Sequence, residues 1–393
     1  MRIEALAIKN YKTFRHAEMK GVPNLAVIVG ANGSGKSTLF DIFGFLKDSL
    51  TSNVQTALLN RGGFKEVRSR DSQGPIEIEL KFREGPQKPL VTYFLQIDEN
   101  DEGRAIVKRE ILKYRRGSKG QPWQFLNFTN GKGTAVTNEP EGVKDESELR
   151  REEQELAKPD ILAVKGLAQF QRFPAAKAFG QMIENWHVSD FHINSARQTQ
   201  IEGHAEHLSK EGENLSLVTQ YLYKEHPHTF NKILQKLSKR VPGVTRVDAK
   251  TTEEGRILLR FQDGAFKDPF LARYVSDGTI KMFAYLVLLH DPSPHPLLCV
   301  EEPENQLYPQ LLAELAEEFR LYAQRGGQVF VSSHSPEFLN AIELEEVFWL
   351  KKKEGYTTIE RAKDNPQIEA LVKEGDKLGY LWHQGLFEGV GPQ

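Results

Sequence analysis

Apolar positions divide the chain into stretches of different period. Met1 to Ile8 alternates as a strand does, and residues 3–9 are predicted as the first strand. Leu25 to Val29 is a short continuous apolar run. A glycine-rich turn then leads into residues 36–48, where Leu39, Phe40, Ile42, Phe43 and Leu46 recur at helical spacing. From 76 to 128 the period falls to two. Segments 76–83, 90–98, 104–114 and 123–128, separated by turn residues, predict an antiparallel sheet inserted after the first helix.

Residues 129–158 are polar. They predict a mobile loop followed, from Lys144-Asp145-Glu146 to Glu155, by a charged and solvated helix. Residues 174–186 and 212–240 are helical in pattern, with Phe191-His192-Ile193 as a core strand between them and 256–262 as a further strand. From 278 onward strands and helices alternate: helix 279–290, strand 297–301, helix 309–324, strand 328–333, helix 335–341, then two strands to about 362. Residues 364–393 are weakly patterned. There is no internal repeat and no sustained heptad.

Composition narrows the class. The 393 residues are 39% hydrophobic and 27% charged, which is a globular balance rather than a disordered one. The formal charge of −2 gives no overall basic field for nucleic acid, so any such contact must be a local patch. The one compact basic stretch is Arg61, Lys65, Arg68 and Arg70. The single cysteine, Cys299, excludes an intramolecular disulfide framework. No apolar run is long enough to span a bilayer, and the N-terminus has no signal-peptide core. The expected setting is therefore the cytoplasm, with no membrane partner.

The turn after the first apolar run is Gly30-Ala31-Asn32-Gly33-Ser34-Gly35-Lys36-Ser37, a complete G-x-x-x-x-G-K-[ST] P-loop followed by Thr38. Glycines let backbone N–H groups curl around a phosphate, and the helix behind them points its positive end at it. Lys36 then reaches the β- and γ-oxygens and Ser37 ligates Mg²⁺. Much later, Leu297-Leu298-Cys299-Val300 ends in Glu301-Glu302. Adjacent strand residues face opposite ways, so Glu301 can serve the metal while Glu302 polarises the attacking water. Alone, an apolar strand ending in acids is common; beside a P-loop it reads as a Walker B strand.

Two further motifs have ordinary readings when taken alone. Ser276-Asp277-Gly278-Thr279 is a serviceable helix N-cap, and a serine at a helix N-terminus is also an anion site. His334, in Ser332-Ser333-His334-Ser335-Pro336 after the second apolar strand, is either a satisfied core histidine or a sensor of the γ-phosphate. His204-x-x-His207 has no supporting cysteine and is not a zinc motif, so metal there is disfavoured.

The order of these motifs resembles the ABC-type ATPase heads of the RecF, SMC and OLD-like group. Ile8-Lys9-Asn10-Tyr11-Lys12-Thr13-Phe14 is similar to their first strand and turn. Ser276-Asp277-Gly278-Thr279 resembles their signature, Glu301-Glu302-Pro303-Glu304 their Walker B and following D-loop, and Ser333-His334-Ser335-Pro336 their switch histidine. The resemblance is strongest to compact bacterial RecF-like AAA ATPases, some of which occur in anti-phage defence modules.

It implies an α/β fold, a P-loop NTPase of the ABC-type ATPase head class with an inserted antiparallel β-sheet and a helical lobe. The expected parts are a P-loop lobe (1–71), the inserted sheet (72–135), a mobile loop and helical lobe with strands (136–275), a signature, Walker B and switch-histidine lobe (276–365) and a C-terminal tail (366–393).

The resemblance also implies Mg²⁺-dependent ATP hydrolysis, with Lys36, Glu302 and His334 catalytic. Gly30, Asn32, Gly33, Ser34, Gly35, Lys36, Ser37, Thr38, Ser276, Asp277 and Gly278 would hold nucleotide, and Ser37 and Glu301 the metal. The group's Q-loop glutamine does not stand out; Gln198, with Arg197 beside it, is the candidate. Two heads would form a head-to-tail homodimer, Ser276 and Gly278 of one subunit closing over the γ-phosphate held by Lys36 of the other. The expected role is to regulate a separate effector, a nuclease or toxin. The alternatives are a RecF-like repair ATPase that binds DNA directly and a non-catalytic ATP-bound scaffold. Long coiled-coil arms are absent. The stretch from Ser335 to Gln393 must finish the ATPase sheet, so an OLD-type nuclease domain is not expected there.

Overall fold

The computed structural model describes residues 2–85, 88–115, 122–138 and 145–387. They divide into two compact units. One takes in the chain up to Trp186 together with the segment from Glu343 onward; the other is His187–Ile342.

The first unit is built on an eight-stranded antiparallel sheet. Phe14–Lys20 lies at one edge, followed by Arg2–Tyr11, Ile76–Arg83, Leu90–Glu99, Ala105–Arg115, Trp123–Thr129, Lys132–Val136 and Arg151–Glu155. The strands at 76–128 are therefore antiparallel, as expected, and follow the first helix in the chain. The two N-terminal strands extend the same sheet, with Leu6 opposite both Met19 and Leu80. Ile76–Arg83 shows the cause plainly: buried and half-buried residues alternate along its whole length. Helix Pro174–Glu184 places Phe179 against Phe82 and Tyr93, with ring centroids 5.3 and 4.5 Å apart.

The segment expected as a mobile loop contains a strand of this sheet, Lys132–Val136. The acidic stretch expected as a solvated helix is instead an edge strand, Arg151–Glu155, preceded by one 3₁₀ turn, Glu146–Glu148. Glu and Arg favour helices only weakly. Here Lys132–Val136 offers a ladder of backbone partners, and Lys132 ion-pairs with Glu155 at 2.8 Å. Lys144 lies outside the described residues.

A smaller set of strands carries the P-loop. Leu25–Gly30, buried throughout, pairs in parallel with Val347–Lys353, which pairs antiparallel with Tyr356–Arg361. Helix Lys36–Thr51 buries Leu39, Phe40, Ile42, Phe43, Phe45, Leu46 and Leu50. Phe43 meets Trp186 edge-on at 5.6 Å and Phe45 meets Tyr11 at 5.7 Å. Full burial of one such ring is worth about 1.5–3 kcal/mol. The weakly patterned tail forms two short helices, Pro366–Glu374 and Leu378–His383.

In the second unit three parallel strands run in the order His187–Ser189, Leu297–Glu301, Gln328–Ser333. Both faces are covered, so the latter two read as continuous apolar runs rather than alternating ones. The strand expected at Phe191–Ile193 lies earlier, at His187–Ser189, and Ile193–Ala196 is helical. The long helical stretch 212–240 is two helices, Leu215–Glu225 and Pro227–Arg240, because Pro227 cannot continue the first helix but suits the first turn of the second. Strand Val244–Thr251, which the apolar pattern does not reveal, pairs with Arg256–Asp263. Its burial pattern explains this: Val247 is its one fully buried side chain. No described helix is long and apolar enough to cross a membrane.

Candidate functional site

The P-loop geometry belongs wholly to the first unit. Gly35 caps the helix Lys36–Thr51 in the left-handed region, at φ 105°. A Cβ there would come within 2.9 Å of Thr13 Oγ1 and 3.1 Å of Thr357 Oγ1. At Gly30 a Cβ would fall 2.3 Å from Ser34 Oγ. The loop is therefore a cradle that only glycine at these positions permits. Thr357 Oγ1 donates to Ser34 O at 2.7 Å, and Thr357 N donates to Thr13 O at 2.8 Å. The hairpin strand Tyr356–Arg361 and the turn at Thr13 thus brace the loop from behind.

Lys36 is 7% exposed and its Nζ donates to Gly30 O at 2.8 Å and Ala31 O at 3.3 Å. Asn32, Gly33 and Ser37 are exposed and Thr38 is half-buried. The first helical turn contains no acidic residue to oppose an anion. This cradle, the 16-residue helix behind it and its lysine fit a nucleotide phosphate.

Behind the loop, Asp41 on the same helix gathers three partners. Tyr11 Oη donates to it at 2.8 Å, Lys12 Nζ at 2.6 Å and Arg61 Nε at 2.7 Å. Burial pushes the Asp41 carboxyl up, but Arg61 and Lys12 outweigh that and hold it below its usual range. Arg61 also pairs with Asp48 at 2.8 Å. The basic stretch is thereby broken up. Arg61 is a half-buried structural cation, Arg70 pairs with Glu66 at 2.5 Å, and Arg68 lies over the Phe64 ring.

The acidic cluster and the signature belong to the second unit. Glu301 closes its strand, opposite Ser332. Glu302 follows at φ 41°, a conformation that costs a residue with a Cβ roughly 1–2 kcal/mol. It is held there because Glu302 N donates to Ser332 O at 3.0 Å and Ser332 Oγ at 3.2 Å, while Asn305 Nδ2 donates to Glu302 Oε2 at 3.0 Å. His334 Nδ1 lies 3.4 Å from Glu302 Oε1 and 3.5 Å from Glu304 Oε1. Glu304 is 9% exposed and accepts hydrogen bonds from Ser333 Oγ and His334 N, both at 2.9 Å. His334 is accordingly not a satisfied core residue: its side chain is 47% exposed at the edge of a carboxylate pair.

Ser276 is the N-cap of helix Asp277–Leu289, its Oγ accepting from Thr279 N. A Cβ at Gly278 would meet Gln306 O at 2.9 Å, so this helix start packs tightly on the turn after the acids. Lys281, on the same helix and 5% exposed, donates from Nζ to Asn305 O at 2.7 Å. Burial lowers its pKa to about 8, against the opposing pull of Glu304 and Glu302. Arg197 Nη2 donates to Val275 O and pairs with Asp277 at 2.6 Å. Gln198 is exposed and follows a helical turn rather than a strand, with its N–H donated to Ser195 O. The side chain engaged with the signature is its neighbour Arg197.

Two contributors are hidden in plain sequence, and a third is named there only as part of a motif. Glu304 belongs to the Walker B and D-loop resemblance without a role of its own, Lys281 reads as one position in a helix, and Arg197 as a neighbour. Lys281 does carry a signal. It is the one charged residue between Thr279 and Leu289, an otherwise buried run with little other polarity. Arg197 carries none, since its partner Asp277 lies far along the chain.

A braced P-loop and a strand-end acid pair with a histidine define a P-loop ATPase fold of the ABC and SMC-head kind. The chain belongs to the family described as "AAA domain, putative AbiEii toxin, Type IV TA system", whose model matches residues 25–340. Among solved structures it is similar to an SMC head bound to the C-terminal winged-helix domain of ScpA, with 14% identity, a TM-score of 0.55, and coverage of 92% of this chain and 97% of that one. It is also similar to the SMC head domain from Thermotoga maritima (15% identity, TM-score 0.46, 92% and 99% covered). A third match is the Pyrococcus furiosus SMC head bound to a domain of ScpA (12%, 0.49, 94% and 99%). No curated protein matches it in sequence.

Proposed function

We propose that the chain hydrolyses ATP with Mg²⁺ and that ATP-dependent pairing of two copies regulates a separate effector. The observation that carries the reading is Glu302, held in a left-handed conformation by Ser332 and Asn305 with His334 beside it. Such strain is maintained where a carboxylate must point in one direction.

In this reading Gly30, Asn32, Gly33, Ser34, Gly35 and Thr38 wrap the phosphates and Lys36 neutralises the γ-oxygens. Ser37 and Glu301 would hold Mg²⁺, which would supply charge stabilisation to the transferred phosphoryl group. Glu302 accepts a hydrogen bond from the attacking water, and His334 keeps that carboxylate oriented while contacting the γ-phosphate. Ser276, Asp277 and Gly278 close over the γ-phosphate of the second copy.

The family's description names a toxin of a toxin–antitoxin system, which supports a module in which this chain acts with another protein. A bacterial anti-phage defence module is the setting we favour. The broken basic stretch favours protein regulation over direct DNA repair, because Arg61 is committed to Asp41 and Asp48. Light scattering of the Glu302→Gln protein tests the pairing: ATP with Mg²⁺ should double the mass, and an unchanged mass with ATP bound removes the dimer from the reading. Co-purification with the products of neighbouring genes tests the effector, and recovery of the chain alone counts against it.

A further inference from the structure

A second cluster of polar side chains lies at the opposite end of the Walker B strand from Glu301. Asp291 and His295 sit in the turn Asp291-Pro292-Ser293-Pro294-His295-Pro296, just before strand Leu297–Glu301. Prolines at alternate positions lock φ by their rings, so the two side chains are presented by a stiff segment. Asp291 Oδ1 accepts from Ser293 N at 2.8 Å, and Arg325 donates to the carbonyls of Leu289 and Asp291. The other carboxylate oxygen, Oδ2, lies 2.6 Å from His207 Nδ1. The His207 and His295 rings are 4.9 Å apart, and His187 stacks on His295 at 4.8 Å. One donor atom from each of His207, Asp291 and His295 lies within 4.8 Å of the other two. Asp291 and His295 are buried, whereas His207 is 40% exposed.

We propose that His207, Asp291 and His295 form a binding site for a divalent transition-metal ion, zinc being the physiological cation its donors favour. Two imidazole nitrogens and one carboxylate are a poor set for Mg²⁺ or Ca²⁺, which take oxygen ligands. They suit Zn²⁺, which outcompetes Mn²⁺ and Fe²⁺ at nitrogen-bearing sites. Three protein ligands leave one tetrahedral position for water.

Bond lengths of about 2.0–2.1 Å put neighbouring donors about 3.3 Å apart. The 2.6 Å contact between His207 and Asp291 must therefore open and the widest spacing must close. His207 is the ligand free to adjust, since it sits on a surface loop held through its carbonyl by Asn214 Nδ2 at 3.0 Å. The hydrogen bond is the metal-free state of the site. When Zn²⁺ takes the Nδ1 lone pair, the neutral imidazole carries its one proton on Nε2 and the bond to Oδ2 is given up; protons compete with the metal for the same nitrogen, so affinity falls with acidity. The bound ion fastens the His207 loop to the turn that starts the strand carrying Glu301.

The test uses the full chain, stripped with chelator and titrated with Zn²⁺ alone, then with Co²⁺ alone, without nucleotide or Mg²⁺. One ion per chain should bind, more weakly as the solution is made acidic. Cobalt should give the visible ligand-field band of a four-coordinate nitrogen and oxygen site, and the melting temperature should rise with metal. His207→Ala should weaken binding at least tenfold and abolish the band. His204→Ala should change neither, because His204 pairs with Glu206 outside the cluster. His295→Gln should also lose the band, but if it does not fold, His207→Ala decides. Absence of a cobalt band in the wild type, or binding that survives His207→Ala unchanged, overturns the site and leaves a hydrogen-bonded histidine–aspartate pair.

Discussion

Lys281 Nζ donates a 2.7 Å hydrogen bond to the carbonyl of Asn305, the residue whose side chain holds Glu302. The signature helix and the carboxylate that would face water are thus linked through one buried amine. Lys281→Met keeps an unbranched side chain, one atom shorter, and removes the donor. It should lower phosphate release about 10- to 100-fold, as small misplacements of a catalytic group do, while ATP affinity changes little. Steady-state hydrolysis and nucleotide binding, measured separately, check this. Equal loss of both would make Lys281 a folding residue only.

Sharing of the site between subunits gives a complementation test. Loss of an N-cap alone costs about 1 kcal/mol and leaves chemistry intact. If Ser276 acts across the dimer, Ser276→Arg and Lys36→Ala proteins should each be inactive alone, yet mixing them should restore part of the hydrolysis. One composite site then carries both lesions and the other neither. No recovery under confirmed mixing contradicts sharing.

Arg61 should behave as a structural cation. Arg61→Ala leaves Asp41 without its closest guanidinium and should cost about 2–3 kcal/mol, read by urea unfolding. Alanines at Lys65, Arg68 and Arg70 should leave stability nearly unchanged. If that surface contacts duplex DNA, three phosphate contacts give a log–log salt slope of about −2.7, and the triple variant abolishes it.

Glu110 predicts a pH dependence. Its fully buried carboxyl accepts from Ala163 N and Val164 N and from Tyr93 Oη. Burial raises its pKa to about 7, above the usual 4.5, although those donors favour the carboxylate. The folded state therefore holds the proton that the unfolded chain has lost. The contribution is complete below about pH 4.5 and falls as pH rises through 7, by roughly 3 kcal/mol at most. Glu110→Gln should flatten that part of the stability profile; an unaltered slope would assign it to other groups.

The nucleotide motifs are legible in the sequence because each is local. The P-loop needs glycines at fixed offsets, and buried parallel strands announce themselves as apolar runs. Long-range pairing is less legible. Arg151–Glu155 has helix-forming residues but a strand waiting beside it, and Phe14–Lys20 joins a sheet most of whose strands begin only at Ile76. The same holds at the candidate site. Glu302 and His334 can be named from their motifs, whereas Arg197 and Lys281 are recognisable only by what they touch.

Binding of ATP at the P-loop and its hydrolysis through Glu302 meet their most direct test in one measurement. It compares ATP binding and phosphate release for wild type, Lys36→Ala and Glu302→Gln under identical Mg²⁺ conditions. The wild type should release phosphate and Lys36→Ala should not bind. Glu302→Gln should retain binding with release slowed about 10²–10⁴-fold. Wild-type-like release by Glu302→Gln, or ATP bound but never hydrolysed by the wild type, would contradict this mechanism.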